Sequence, residues 1–301
     1  MSSAATASSP FDFDELARVD HTGLRPPGFV TARDGARLAV RHYPAACDTV
    51  VVALHGSSGD GIYFHALARN LSESNVAAVY VPDLRGHGAS DGRRGDVDYI
   101  GQLEDDLDDL VAAIRSERPR ARIVLLGHSS GGGLAVRFAG GRRATPIAGY
   151  VLLAPFLGAA APTTRPGSGG WAQVDTAKVS ELLARAARGD IADQDEIVLR
   201  FNKAPGQRTG REVLAYTFRM TLAYHPRFDL AGDLSAIRQP LLVLAGARDQ
   251  SFVPELYEPT IAPHAGGTFR VLPWLSHFGV VVERLAIDEV AAWLSSEFAT
   301  R

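Results

Sequence analysis

An apolar run, Ile123-Val124-Leu125-Leu126, passes directly into Gly127-His128-Ser129-Ser130-Gly131, and a helix-forming segment, Leu134 to Ala139, follows at once. A strand that becomes a helix within a few residues around Gly-x-Ser-x-Gly is the sequence form of a nucleophile elbow, a strained turn that lifts a serine above the carboxyl end of a parallel sheet. The glycines have a steric task, because positions two residues from the serine must be small for strand and helix to approach. Ser129 then stands at the helix N-terminus, where free N–H groups and the positive dipole end favour a developing anion. The pentapeptide occurs a second time, as Gly88-Ala89-Ser90-Asp91-Gly92. That copy sits in a turn-rich stretch with no helix starting at its serine. Ser90 therefore reads as a loop residue and Ser129 as the nucleophile.

The rest of the chain supplies the sheet such an elbow needs. Thr49 to Leu54, Val76 to Val81, Ile147 to Leu153 and Pro240 to Ala245 are unbroken apolar runs, as strands covered on both faces require, and Thr268 to Leu272 completes the set. Asp34-Gly35 between alternating segments marks a hairpin of antiparallel edge strands. Helical periodicity at Ile100, Leu103, Leu107, Leu110 and Ile114 leaves Glu104, Asp105, Asp106, Asp108 and Asp109 as a solvated face. Strands alternate with helices throughout, so the expected architecture is α/β, a mostly parallel eight-stranded sheet with helices on both faces. From Leu157 to Ala236 this rhythm breaks. Helical-looking segments at Ser180 to Arg188, Asp195 to Phe201 and Val213 to Tyr224 follow a Gly- and Pro-rich entry, and predict a helical cap inserted into the core. The expected domains are a disordered tail over 1–19, a core over 20–156 and 237–301, and the cap over 157–236.

Composition excludes several classes. The net charge of −3 offers no basic face for nucleic acid. One cysteine, Cys47, allows no disulfide within the chain and no Cys/His zinc spacing. The first nine residues lack a basic start and an apolar stretch, so no signal peptide is expected, and no run approaches the ~20 apolar residues that span a bilayer. A cytoplasmic protein is the expectation.

Acyl transfer through a serine needs a base, an acid that orients the base, and donors for the oxyanion. Asp249 follows the strand Leu241 to Ala245, and His277 follows the strand ending at Leu272, so both fall on the rim that carries Ser129. Asp83 also follows a buried strand and is the rival acid, but its surroundings, Arg85-Gly86-His87-Gly88, read as a turn that it fastens. His55, His87 and His128 sit at strand ends and are expected to hydrogen-bond locally, while His65, His225 and His264 read as surface or packing residues. The oxyanion donors are expected to be the backbone N–H groups of Ser57 and Ser130. The expected chemistry needs no metal and no organic cofactor.

On the pieces Leu54-His55-Gly56, Pro82-Asp83-Leu84-Arg85-Gly86-His87-Gly88-Ala89-Ser90, Gly127-His128-Ser129-Ser130-Gly131, Gly246-Ala247-Arg248-Asp249 and Ser276-His277-Phe278, the chain resembles the α/β-hydrolase fold. More narrowly it resembles the monoacylglycerol lipase, lysophospholipase and serine aminopeptidase group often called hydrolase-4. The order Ser129, Asp249, His277 is that of α/β-hydrolases. The resemblance implies an esterase with Ser129, His277 and Asp249 as its triad and a small-molecule or lipid ester as substrate, most simply a monoacylglycerol or lysophospholipid. The same triad serves peptidases, perhydrolases and carbon–carbon bond hydrolases of this fold, and the fold also hosts ligand receptors. The cap, which the resemblance does not cover, is the surface for any transient membrane contact.

Overall fold

The unbroken apolar runs form the interior of one sheet. The computed structural model describes residues 10–141 and 143–298. In chain order its strands are β1 (Gly28–Thr31), β2 (Arg37–Tyr43), β3 (Thr49–Leu54), β4 (Ala78–Pro82), β5 (Arg122–His128), β6 (Gly149–Leu153), β7 (Ala172–Val174), β8 (Ile197–Phe201), β9 (Ala215–Thr217), β10 (Leu241–Gly246) and β11 (Thr268–Leu272). Eight of them make one sheet in the order β1-β2-β4-β3-β5-β6-β10-β11. The pairs β1–β2 and β2–β4 are antiparallel, and the others are parallel. Every residue of β3, β4, β6 and β10 is buried, which a parallel sheet reaches only under a cover of helices. Of the hairpin flanking Asp34-Gly35, only β1 lies at an edge, because β2 also pairs with β4.

Register brings distant loops together. Leu54 at the end of β3 pairs with Gly127 near the end of β5, so the loops that follow emerge side by side. Gly246 at the end of β10 pairs with Leu272 at the end of β11, and does the same for the next two loops.

Four expectations need correction. The inserted segment is not purely helical. It contains a three-stranded antiparallel sheet, β7-β8-β9, beside the helices Thr176–Ala186 and Phe218–Tyr224. Asp195 to Phe201, read as helical, is largely β8, whose residues Val198, Leu199 and Phe201 are buried against partners that local periodicity does not reveal. The expected disordered tail over 1–19 fails where it can be examined. Residues 1–9 lie outside the described residues, but Phe11 is buried, Val19 nearly so, and Asp14–Ala17 is helical. Those contacts are tertiary, and the short segment has no periodicity that would reveal them. The acidic face of helix Gln102–Glu117 is also only partly solvated. Glu104 is buried against Arg137 at 2.9 Å and Arg227 at 2.8 Å, and Asp106 is buried against Arg85.

Candidate active site

The elbow is built as its glycines require. Ser129 has φ 54° and ψ −121°, a strained conformation for a residue with a side chain. Its N–H donates to the Leu153 carbonyl at 3.0 Å, and its carbonyl accepts from the N–H groups of Gly132, Gly133 and Phe156. A Cβ on Gly131 would overlap the Leu54 and His55 carbonyl oxygens, and one on Gly127 would overlap the backbone of Gly131. A Cβ on Gly56 would lie 3.1 Å from the Ser129 Cβ, a tight contact, so glycine at position 56 eases the close approach of the loop after β3 to the nucleophile candidate.

Asp249 and His277 meet. His277 Nδ1 lies 2.9 Å from Asp249 Oδ2, and both side chains are buried. The other oxygen of Asp249 accepts from the N–H groups of Ser251 and Phe252, each at 2.8 Å. The His277 N–H donates to Gln250 Oε1 at 3.0 Å. Ser129, His277, Gly56 and Ser57 line one cavity of about 60 Å³. Asp83 is elsewhere, accepting from Arg41 Nη1 at 3.1 Å and from the N–H groups of Gly61 and Ala89. Ser90 bridges strands, accepting from the Ala39 N–H at 2.8 Å and donating to the Asp83 carbonyl.

Two tyrosines, neither singled out by the sequence, hold the loop that carries Ser57. The N–H of Gly56 donates to Tyr63 Oη at 2.5 Å, and that of Ser58 donates to Tyr216 Oη at 2.9 Å. Burial raises both phenol pKa values, so both remain hydroxyls able to donate onward. Tyr63 lies 3.1 Å from His128 Nδ1, and His128 Nε2 lies 3.0 Å from the His277 carbonyl. A carbonyl can only accept. His128 must therefore carry its proton on Nε2 and accept from Tyr63 through Nδ1. Burial lowers the His128 pKa well below its ordinary value, which keeps it in this neutral form. The same logic holds on the other side. His87 Nδ1 donates to the Arg85 carbonyl at 2.9 Å, and Nε2 accepts from Tyr216 at 2.7 Å. One chain thus ties the β3 loop to the elbow and the His277 loop, and the other ties it to the inserted segment. The amides on either side of Ser57 are both used, while the N–H groups of Ser57 and Ser130 have no protein acceptor among the described residues. Trp171 Nε1 donates to Ser57 Oγ at 3.2 Å, adding a second tie from the insertion.

The cavity has further walls that sequence reasoning missed. Phe11, Phe13 and Leu16 enter it from the N-terminal segment, and Lys203 and Glu212 from the insertion. Lys203 Nζ lies 2.5 Å from Glu212 Oε1 and 4.4 Å from the Phe13 ring centroid. Burial pushes the Glu212 carboxyl up, but Lys203 and the Thr209 N–H and hydroxyl outweigh it and hold the group down at about 2. Two aromatics, Phe11 and Phe13, in an otherwise small and polar start were the one available signal. Among the described residues no group of three or more His, Cys, Asp or Glu side chains is disposed to hold a metal ion, and no helix is long and apolar enough to cross a membrane.

A mostly parallel eight-stranded sheet with a strained serine between β5 and its helix defines the α/β-hydrolase fold. The chain belongs to the family described as Hydrolase_4, serine aminopeptidase, S33, whose model matches residues 45–262. It is 26% identical over 261 residues to the monoacylglycerol lipase of Mycolicibacterium smegmatis, covering 82% of this chain and 88% of that protein. It is 29% identical over 133 residues to the monoglyceride lipase of Rattus norvegicus, covering 44% of this chain and 43% of the relative. In fold it matches a soluble variant of monoglyceride lipase from Saccharomyces cerevisiae with a TM-score of 0.69 and 18% identity, over 98% of this chain and 100% of that one.

Proposed function

We propose that the protein cleaves carboxylic esters by acyl transfer through Ser129. The observation that carries this reading is the 2.9 Å contact of His277 Nδ1 with Asp249 beside a cavity that Ser129 also lines. The carboxylate fixes the imidazole proton on Nδ1 and leaves the Nε2 lone pair as the base. Ser129 Oγ attacks the acyl carbonyl as His277 Nε2 takes its proton. Asp249 stabilises the imidazolium that forms. The carbonyl oxygen, now negative, is held by the N–H groups of Ser57 and Ser130. The imidazolium then protonates the leaving alcohol, and water repeats the sequence to free the acid and regenerate Ser129.

The substrate class is an ester of one acyl chain with a small polar alcohol, as in a monoacylglycerol or lysophospholipid. The two monoacylglycerol-cleaving relatives support it, as does a site lined by the apolar rings of Trp171 and Phe278 together with the polar side chains of Lys203 and Glu212. Residues 157–236 are the cap over this site, inserted between core segments 20–156 and 237–301.

Hydrolysis of 4-nitrophenyl esters from acetyl to palmitoyl tests the reading, with Ser129→Ala and Asp249→Asn as controls. Ser129→Ala should remove turnover, and Asp249→Asn should lower kcat by about 10⁴-fold, as loss of the orienting carboxylate does in other triads. Turnover by Ser129→Ala close to that of the unaltered protein would sink it. Activity on aminoacyl nitroanilides in place of every ester would assign the same residues to a peptidase.

A further inference from the structure

The cavity at Ser129 and His277 measures about 60 Å³, well short of the ~300–1,000 Å³ typical of sites that enclose a small-molecule ligand. This chain's own N-terminal segment takes up the space. Phe11, 5% exposed, lies flat on the His277 imidazole with ring centroids 4.8 Å apart and planes 14° apart. It also meets Trp171 and Phe278, each at 5.1 Å between centroids. Phe13 packs on the same two rings, at 5.5 Å and 5.4 Å.

We propose that Phe11 and Phe13 set the acyl-chain length the site accepts: seated, they fill its apolar side and admit short acyl groups, and a long acyl chain binds only by displacing them. This deepens the ester-cleaving reading and rests on it.

Three features carry the argument. An acyl chain seeks apolar walls, and among the walls of this cavity are the faces of His277, Trp171 and Phe278 that the two phenylalanines already cover. Exchanging phenyl rings for methylenes there trades one buried apolar surface for another, so displacement needs no new driving force. The segment is also weakly structured by itself. Its helix, Asp14–Ala17, is a single turn, far below the length at which a helix is stable alone, so its order comes from the contacts it makes in the site. Finally, displacement leaves no buried charge unpaired. Lys203 loses the Phe13 ring but keeps Glu212 at 2.5 Å. The chain stays tethered just beyond the segment, where the Thr22 carbonyl accepts from His65 Nε2 at 3.0 Å.

The test compares the full chain with its Phe11→Ala/Phe13→Ala variant. The readouts are kcat/KM for 4-nitrophenyl decanoate relative to butyrate, and palmitate affinity by isothermal titration calorimetry. We expect the decanoate-to-butyrate ratio to rise at least about tenfold and palmitate to bind at least about tenfold more tightly, the effect of removing a buried ring's worth of competition. A ratio and an affinity both within about twofold of the unaltered chain would overturn the proposal. If the double alanine variant does not fold, Phe11→Leu/Phe13→Leu keeps apolar contact without the ring stack. The ratio should then rise about threefold, and an unchanged ratio overturns the proposal equally. Should the unaltered protein cleave neither ester and a fluorophosphonate fail to label Ser129, the ester reading falls. The palmitate affinities then decide this proposal alone, by the same two results.

Discussion

Tyr63→Phe is a demanding probe of the site because it removes one oxygen and leaves the ring. That oxygen accepts from the Gly56 N–H at 2.5 Å and lies 3.1 Å from His128 Nδ1, to which it donates. Both groups it serves are buried. Each unmatched buried polar group costs roughly 1–3 kcal/mol, so the substitution should destabilise the fold by roughly 2–6 kcal/mol, with the lower end reached if the loop shifts or water enters. A shift would carry the Ser57 N–H off the proposed oxyanion position, and loss of one such donor lowers kcat by about 10²-fold in comparable sites. KM should change little, because the donor acts on charge that develops only in the transition state. Urea denaturation and steady-state hydrolysis of a butyryl ester measure the two quantities on one preparation. Tyr216→Phe is the matched arm, since that hydroxyl serves the Ser58 N–H and His87 in the same way. The double variant should lose more activity than either single one, because the loop is then free on both sides. A Tyr63→Phe protein with unchanged urea midpoint and kcat within about twofold of the unaltered enzyme would refute the bracing argument.

Two further outcomes follow from geometry and burial. Gly131→Ala places a methyl group on the Leu54 and His55 carbonyl oxygens, so the strand–helix turn must open, and a stability loss of about 3 kcal/mol or more should appear as a lowered melting temperature; a variant as stable as the parent would contradict the reading of the elbow. His55, His87 and His128 are all held neutral by burial, their pKa values lowered in the folded state, while in the unfolded chain they titrate near their ordinary value of about 6.5. Below that pH the unfolded state binds more protons than the folded one. Stability should therefore be full above pH ~6.5 and fall as the pH drops from there toward 5, before most carboxylates titrate. Urea midpoints flat or rising over that interval would show that these rings are not held neutral.

What the sequence disclosed and what it hid divide along the range of the interactions. The elbow was legible because a strand, two glycines and a helix lie within one short stretch, and their steric demands are local. The buried parallel strands were legible for the same reason, as continuous apolar runs. Asp249 and His277 could be placed on the rim by strand order alone, which says where a loop emerges but not what its side chains touch. The misreadings are non-local. Glu104 looked solvated because the arginines that bury it, Arg137 and Arg227, lie far along the chain, and Ile197–Phe201 looked helical because its partner strands are separated from it by turns and a helix. The segment from Phe11 to Val19 has neither length nor periodicity, and its aromatic side chains are seated on rings contributed by Trp171, His277 and Phe278. The same division explains why the loop at Ser57 could be singled out from sequence while the bonds that brace it could not. Its position depends on two hydroxyls, one from the helix after β3 and one from the insertion, that take the amides on either side of Ser57 and leave its own N–H open. A proposed oxyanion donor is defined as much by the neighbours that are occupied as by the one that is not, and here one of the two neighbours, the Ser58 N–H, is occupied only when the insertion closes on the core.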